Sequence, residues 1–529
     1  MFDSVNWYYI LCLVVISCGT IPKADTLSVF QGYDEGGFSA SVTLPSFKND
    51  FNLNAANWVD NPNGLANRSA NITSFGVLGA SFGTILALFV ADRFGRLRSW
   101  QGFVLLWASG IFMQIFSSGI YGLELFARIW AGLGAGGLTV VSPLYLAEVA
   151  PAKSRGMVVT FNMVALLSFL SLGFFINYGV NKTLPATREQ YRIVQSISLI
   201  PVGIAFLLSF LMADTPRWLA SKDRTEEALA VLARLRNNTK NPQELADEYE
   251  EVQDQIRRRE QVLAGTTTWD IIKEVLGTSR YRQRFALGAF VQVMSQWTGG
   301  NGITYYIPQI FVYAGVGGSN ASLITSGAYG LVKLFFTLVF TWGLVDYFGR
   351  RKCFIAGMLL QLVGHIYMAI YMGVFYQGDN KSASDAAIAS VFIYAVGWSI
   401  GLCNVQALYG SEIYPTRIRA FCYSCNMALH WFCQFAIVRV TPNMFVGLGL
   451  SGAFIFWACV TFAGLVVMFV LAPETKGVPM ERMDELFDCP WYLRWKSKVD
   501  LSQDYAMATQ KQPTSDEKEA AMATGVEHM

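Results

Sequence analysis

Eleven runs of about twenty mostly apolar residues recur along the chain, at 72–91, 100–119, 121–147, 157–179 and 192–212, then at 285–314, 322–345, 353–376, 388–410, 420–442 and 448–471. A bilayer core about 30 Å thick takes about 20 such residues per crossing, and only a helix pairs all its backbone groups inside hydrocarbon. A further crossing precedes them and is irregular. Residues 7–21 are apolar, Pro22-Lys23-Ala24-Asp25 interrupts, and apolar character returns over 27–44. Counting that segment once predicts an all-α membrane protein of twelve transmembrane helices. Proline lacks the backbone donor a helix needs, so the first helix is expected to be broken or bulged near Pro22.

Composition removes other classes. With 53% apolar and 15% charged residues among 529, the chain is neither disordered nor an ordinary soluble enzyme. A net charge of +2 leaves no basic excess for nucleic acid. The nine cysteines make no disulfide framework, and eight of them lie in apolar stretches; the three histidines, at 365, 430 and 529, make no metal site. No nucleophile–base pair or phosphate-binding loop marks an enzyme, and no cofactor is expected.

Orientation follows from the basic residues of the short loops. Arg93, Arg96 and Arg98 follow span 2, Lys153 and Arg155 span 4, Arg350, Arg351 and Lys352 span 8, and Arg417 and Arg419 span 10. All fall on one side with the 213–284 segment and the tail, which predicts a multi-pass protein, expected in the plasma membrane, with both termini cytoplasmic. The sequons at Asn67, Asn71, Asn181, Asn320 and Asn380 fall on the other side, and one at Asn237 falls inside.

The two halves repeat. Asp92-Arg-Phe-Gly-Arg96 returns as Asp346-Tyr-Phe-Gly-Arg350, the Glu148/Arg155 pair returns at the same spacing as Glu412/Arg419, and Asp214-Thr-Pro-Arg217 has its counterpart in Pro473-Glu-Thr-Lys476. The expected organisation is a six-helix bundle over 1–212, a cytoplasmic linker with short helices over 213–284, a second bundle over 285–471, and a largely disordered cytoplasmic tail over 472–529. The linker helices, Glu226 to Arg236 and Glu244 to Arg259, are charged nearly all round and read as a solvated connector. Duplicated halves around a midplane site suit a carrier in which one bundle rocks against the other.

The repeated loops, together with Pro143-Leu-Tyr-Leu-Ala-Glu148, Asp214-Thr-Pro-Arg-Trp218, Gln296-Trp-Thr-Gly-Gly-Asn301, Ser411-Glu-Ile-Tyr-Pro415 and Pro473-Glu-Thr-Lys-Gly477, resemble the sugar porter family of the major facilitator superfamily. The resemblance runs from about residue 32 to 488. Gly330-Leu-Val-Lys333, Arg439-Val-Thr-Pro-Asn-Met and the segment from Gly477 are similar to fungal members, quinate permeases among them. It implies two six-helix bundles, a monomer, and a small-molecule substrate moved with a proton by alternating access. A facilitator without proton coupling and a non-transporting nutrient sensor are the alternatives. Against the family's first span, the stretch from Trp7 to Gly32 is about eight residues longer, as an unspliced intron in the gene model would leave it.

Charges at the inner helix ends are expected to form a gating network: Asp92, Arg93, Arg96, Glu148 and Arg155 in one half, Asp346, Arg350, Arg351, Glu412 and Arg419 in the other. Pairs that exist only when the inner side is closed bias a two-state equilibrium. Simple positive-inside anchoring does not explain the matched acids. Inside the spans lie Asp34 and Arg128, and ionisable residues there usually face the bundle interior and serve function. Paired with Arg128, Asp34 is held ionised; separated from it and open to external protons, it loads one. The corresponding Asp and Arg of proton-coupled sugar porters do this, which the resemblance carries to Asp34 and Arg128, with Glu35 a weaker candidate.

The substrate site is expected near the midplane. At 1.5 Å per residue, Gln296 lies about 18 Å above Arg284 and His430 about 17 Å above Arg419. A polyhydroxy substrate calls for amides beside an aromatic face. Gln296, Asn301 and Tyr305 match the family's span 7 positions, His430-Trp431 stand where an amide and Trp are usual, and span 10 carries Asn404 and Gln406, which serve equally well as glue between helices. Three departures, Ser295, Leu170 and Ala407, remove contacts the family makes to hexoses. Lys333, inside span 8, would complement a carboxylate, and Arg439, near the outer end of span 11, snorkels equally well. A neutral monosaccharide and a sugar-like acid both stay open.

Overall fold

The computed structural model describes residues 31–487 except 151–154, 237–241, 264–267 and isolated positions within 341–344, 377–379, 404–412 and 477–482. The expected break near Pro22 and the residues beyond 487 lie outside the described residues. Everything regular among the described residues is helical.

Twelve membrane helices follow in chain order. They are α1 (described over 31–41), α2 (Pro62–Phe94), α3 (Arg96–Ile115), α4 (Tyr121–Val149), α5 (Arg155–Thr183) and α6 (Arg188–Ser209), then α7 (279–313), α8 (Ser319–Val339), α9 (Arg350–Phe375), α10 (Lys381–Cys403), α11 (Thr416–Gly447) and α12 (Gly449–Leu471). Eight of these are long and apolar enough to cross a bilayer by length and composition alone. Of the others, α7 is broken into three helical pieces, Ser279–Trp297, Gly300–Tyr305 and Ile307–Tyr313, by Gly299 at φ +93° and by Tyr306 ahead of Pro308. Irregular backbone at that depth is tolerated where it lines a buried site. The face carrying the Asp-x-Phe-Gly-Arg loops is called inner below, and its opposite outer.

Small residues set the packing. In α2 and α4, a Cβ at Gly79 or Gly83 would strike the carbonyls of Ile129 or Leu133, and one at Gly132 or Gly136 those of Gly76 or Ala80. Without a hydrophobic drive between helices in lipid, such close backbone approach is what holds them together. Gly32 and Gly36, four residues apart, seat α1 on the carbonyls of Leu166 and Leu170 in the same way. Leu170 thus packs against α1 and presents no hydrogen-bonding group where the family has an amide. Large apolar side chains on α6 (Ile200, Ile204, Leu207) and α12 (Ile455, Phe462, Phe469) point outward, the faces a bilayer would cover.

The connector is less solvated than its charge pattern suggests. Helices run over Thr225–Leu235 and Pro242–Leu263, and Ala228, Val231, Leu232 and Leu235 are buried against Leu97, Tyr145, Leu146 and Val149. Arg236 joins the two connector helices through Glu248 at 2.6 Å and donates to the Val149 carbonyl. The apolar positions recur at helical spacing, so charge on the remaining faces masked a docking stripe. At the other end, Met483–Phe487 is a short buried helix under Arg284, whose guanidinium stacks 4.5 Å from the Phe487 ring.

Candidate functional site

Asp34 opens a π-turn, Asp34–Phe38, inside α1. The wider turn aims Asp34 and Phe38 at α4, and single π-turns of this kind recur at functional sites. Arg128, seven residues into α4 and about 10 Å below its outer end, meets Asp34 through both terminal nitrogens, Nη1 to Oδ1 at 2.5 Å and Nη2 to Oδ2 at 3.1 Å. Its guanidinium lies 3.7 Å from the Phe38 ring centroid, and Gly76 of α2 leaves room for Nη2, which a Cβ there would approach to 2.6 Å. The Arg128 side chain is 1% exposed and that of Asp34 23%, so the acid is the partner with access.

A second polar centre lies between α7, α8, α10 and α11. His430 bridges two amides: Nδ1 donates to Gln292 Oε1 at 2.9 Å, and Nε2 accepts from Gln296 Nε2 at 3.1 Å, with Ser295 Oγ at 3.4 Å from Nδ1. Both ring nitrogens are committed in the neutral tautomer, so the imidazole orients Gln296 and supplies no positive charge. Gln296 Oε1, the indole N–H groups of Trp398 and Trp431, and Gln406 Oε1 are buried without partners. Buried polar groups are usually satisfied, so a set of orphans in one region marks where a ligand's hydroxyls would bind. Asn301 and Tyr305 are buried beside them. Trp431 and Tyr305 pack with Val77 and Ala80 of α2, at the seam between the halves.

Lys333 is 1% exposed. Nζ donates to Thr304 Oγ1 at 3.2 Å and lies 3.7 Å from the Trp398 ring centroid. Trp398 of α10, nine residues before position 407, thus lays its aromatic face against Lys333. Across the seam Glu35, 4% exposed, takes a hydrogen bond from Gln31 and lies within electrostatic range of Lys333. Asn404 lies outside the described residues. Gln406 accepts from Gln292 Nε2 through its main-chain carbonyl at 3.4 Å.

At the inner face both Asp-x-Phe-Gly-Arg loops fold alike. Each ends one helix at Phe94 or Phe348, turns through glycine at φ +95° (Gly95) or +94° (Gly349), and starts the next helix at Arg96 or Arg350. The incoming helix is capped by a remote acid. Asp214 accepts from the backbone N–H groups of Arg96 (2.9 Å), Leu97 (3.3 Å) and Thr215 (2.9 Å), and Glu474 from those of Arg350 (2.9 Å) and Lys476 (3.2 Å). Burial pushes the Asp214 carboxyl above its usual range, against the pull of those three donors. Arg96 pairs with Asp92 at 3.0 Å and Glu148 at 3.1 Å, and Thr215 donates to the other oxygen of Glu148 at 2.5 Å. Arg93 lies over Phe94, Arg351 donates to the Phe469 carbonyl, and Arg419 donates twice to the Tyr414 carbonyl. Glu412 and the side chains of Arg155 and Asp346 lie outside the described residues. Asp214 and Glu474 stand in repeated motifs, but only the fold reveals them as caps.

The halves meet at the outer face through polar clasps. Asn67 Oδ1 accepts from Arg439 Nη2 and Asn443 Nδ2, both at 3.0 Å, joining α2 to α11. Asn181 donates to Asn320 Oδ1 at 2.7 Å, joining α5 to α8.

Two packed sets of helices, a polar centre at their seam and charged joints on one face define a multi-pass membrane carrier of the major facilitator fold. The family model for "Sugar (and other) transporter" matches residues 21–487. The chain belongs to that family of transporters. Among curated proteins it is similar to the quinate permeases of Emericella nidulans, 30% identical over 92% of this chain and 90% of the relative, and of Neurospora africana, 30% identical over 91% and 89%. Among solved structures it is similar to the xylose transporter XylE from E. coli in a partially occluded inward open conformation, with a TM-score of 0.72 and 19% identity over 90% of this chain and all of that one. It is also similar to the proton:xylose symporter XylE bound to 6-bromo-6-deoxy-D-glucose, with a TM-score of 0.70 and 20% identity over 91% and 99%.

Proposed function

We propose that this transporter is a proton-coupled symporter of a monosaccharide or a sugar-like acid, working by alternating access between its two bundles. The observation that carries the reading is the bidentate Asp34–Arg128 pair, buried on the cation's side and accessible on the acid's. A carboxylate held by arginine stays ionised until helix movement separates the two, so it can load a proton on one side and release it on the other. The quinate permease names of the relatives and the proton:xylose symporter neighbour support the same reading. Gln296, Asn301, Tyr305 and Trp431 would bind the substrate's hydroxyls, with Gln406 and Asn404 as further contacts and His430 orienting Gln296.

Lys333 favours the acid. A buried ammonium with one side-chain acceptor and an indole face has donors left for a carboxylate. In this reading Asp92, Arg93, Arg96, Glu148 and Arg155, and in the other half Asp346, Arg350, Arg351, Glu412 and Arg419, set which way the empty carrier faces. Residues 1–212 and 285–471 are the rocking bundles, joined by 213–284. The protein acts as a monomer in the plasma membrane, with both termini in the cytoplasm. Uptake of labelled glucose, xylose, galacturonate and quinate by transporter-null yeast, at two pH values with and without a protonophore, tests it. Accumulation abolished by the protonophore supports symport; protonophore-resistant equilibration indicates a facilitator, and binding without uptake a sensor.

A further inference from the structure

Arg128 is bracketed by two carboxylates, and its pair with Asp34 uses only one. Glu124 stands four residues earlier on α4, one turn nearer the outer face, and Glu four residues before Arg is the favoured order for a helical pair. Its side chain is 0% exposed, and neither carboxylate oxygen has a partner within hydrogen-bond distance, because the neighbouring Ser117 hydroxyl donates to the Gln114 carbonyl at 2.8 Å. An acid in a first helical turn is favoured by the backbone dipole, yet Glu124 caps no N–H here and burial removes its water. Helix geometry alone therefore leaves it unexplained. On the other side of the gap, Arg128 Nη1 and Nη2 go to Asp34 while Nε is buried and unpartnered.

The same corner collects further orphans. Gln114 on α3 and Gln195 on α6 have no partner for either amide atom, and both line, with Asp34, a cavity of about 20 Å³. That volume holds one water molecule with polar groups to bind it. The charged groups facing Glu124 are Arg128 on its own helix and Asp34 on α1, with Ser117 beside it from the outer end of α3. Arg192 of α6 is engaged by Ser118 at 2.8 Å and by the Phe116 ring.

We propose that Glu124 is the second carboxylate of the proton site: when Asp34 takes up a proton, Arg128 passes from Asp34 to Glu124, so its charge stays paired throughout the cycle. The inference rests on Asp34 being the proton-loading group. The proton comes from water in the cavity and forms an O–H bond on Asp34, and the two charge-assisted contacts to Arg128 break. Side chains one turn apart are neighbours on a helix, so a rotamer change completes the transfer. With Glu124 kept ionised by the Arg128 charge one turn away, the three-residue cluster goes from one net negative charge to none. Without Glu124 it would go from none to an unpaired buried arginine, a state the protein resists. Glu124 is thus a positioning residue that keeps Arg128 paired when Asp34 is protonated.

The test is infrared difference spectroscopy on the purified full chain in lipid nanodiscs, following protonated carboxyl absorption as pH is lowered. The wild type gains a band that Asp34→Asn lacks. Glu124→Gln requires about tenfold more protons for the same band, a displacement of about one pH unit. Glu124→Met, suited to an apolar surround, shows the same displacement should the glutamine variant not fold, and Glu124→Asp restores the wild-type profile. A Glu124→Gln or Glu124→Met profile equal to wild type overturns the proposal and leaves Asp34 as the proton site. A Glu124→Asp profile displaced as far as that of Glu124→Gln overturns it too, since packing and not charge would be responsible. If Asp34→Asn removes no band, both this inference and the proton-coupled reading fall.

Discussion

Arg128 and Lys333 are both cations buried in membrane helices to 1% exposure, one in each half, and the protein treats them oppositely. Arg128 has a carboxylate in contact through two nitrogens and an aromatic ring against its face. Lys333 has a threonine hydroxyl and an indole ring, while the Glu35 carboxylate faces it from beyond contact distance. Guanidinium suits a fixed bidentate partner, whereas an ammonium is a point charge that can accept a partner from several directions. The first arrangement is complete without substrate and the second is not. In the proposed reading, the built-in carboxylate serves energy coupling and the missing one serves recognition.

The largest effects should come from breaking the complete pair. Arg128→Met leaves Asp34 without its partner, and losing one member of a buried pair costs about 3–5 kcal/mol; folded yield and thermal stability in detergent should fall sharply. Asp34→Asn should abolish proton-driven accumulation and leave substrate exchange across the membrane intact. Uphill uptake with wild-type pH dependence in that variant would remove Asp34 from the mechanism. Lys333→Met should behave differently. It orphans no carboxylate at contact distance, so thermal stability should hold within about 1 kcal/mol, while quinate or galacturonate uptake falls tenfold or more, about 1.4 kcal/mol, and glucose or xylose uptake is spared. If Lys333→Met destabilises as much as Arg128→Met, the contrast between the two sites is wrong.

The spans, their repeat and the intramembrane Asp34, Arg128 and Lys333 were legible in the sequence because each rests on local composition: about twenty apolar residues make a crossing wherever they occur, and a charge well inside one stands out, whereas Glu124, the fourth residue of the 121–147 run, did not. What escaped depends on groups brought together from afar. Asp214 caps a helix that begins 118 residues earlier, and Glu474 one that begins 124 residues earlier. Neither relation leaves a pattern in adjacent residues, although both acids sit in motifs that recur between the halves. Trp398 was overlooked because the aromatic face was sought at position 407, nine residues further along the chain. Gln292 was hidden for the opposite reason. One polar residue a turn below Ser295 and Gln296 looks like an ordinary helix contact until His430 is seen to bridge them. The connector's apolar stripe, by contrast, was present in Ala228, Val231, Leu232 and Leu235 and was obscured by dense charge on the other faces.

The inner joints extend the comparison of halves to a smaller scale. Asp214 accepts two backbone N–H groups from the turn after its Asp-x-Phe-Gly-Arg loop and Glu474 one, and each accepts one more from its own segment, Thr215 or Lys476. Removing a helix cap costs about 0.5–2 kcal/mol, so Asp214→Ala should lower thermal stability more than Glu474→Ala, measured side by side by scanning fluorimetry. Equal losses would mean that the number of donors does not set the strength of the joint.

The smallest effect is expected at the outer clasps, where the halves touch in this conformation. Asn67 Oδ1 serves both Arg439 and Asn443, and all three groups lie where water competes for them. Such hydrogen bonds contribute about 0.5–1.5 kcal/mol each. Asn67→Ala removes the shared acceptor while leaving Arg439 free to solvate, so folding should be unaffected. The equilibrium between outward- and inward-facing carriers should then shift about two- to tenfold toward outward. Cysteine accessibility at positions along the outer seam, read in membranes without substrate, would detect the shift. The direction matters more than its size: Asn67 joins α2 of one half to α11 of the other, so its loss can favour only the state in which those helices separate. A shift toward inward-facing would show that the clasp does not hold the outer gate shut.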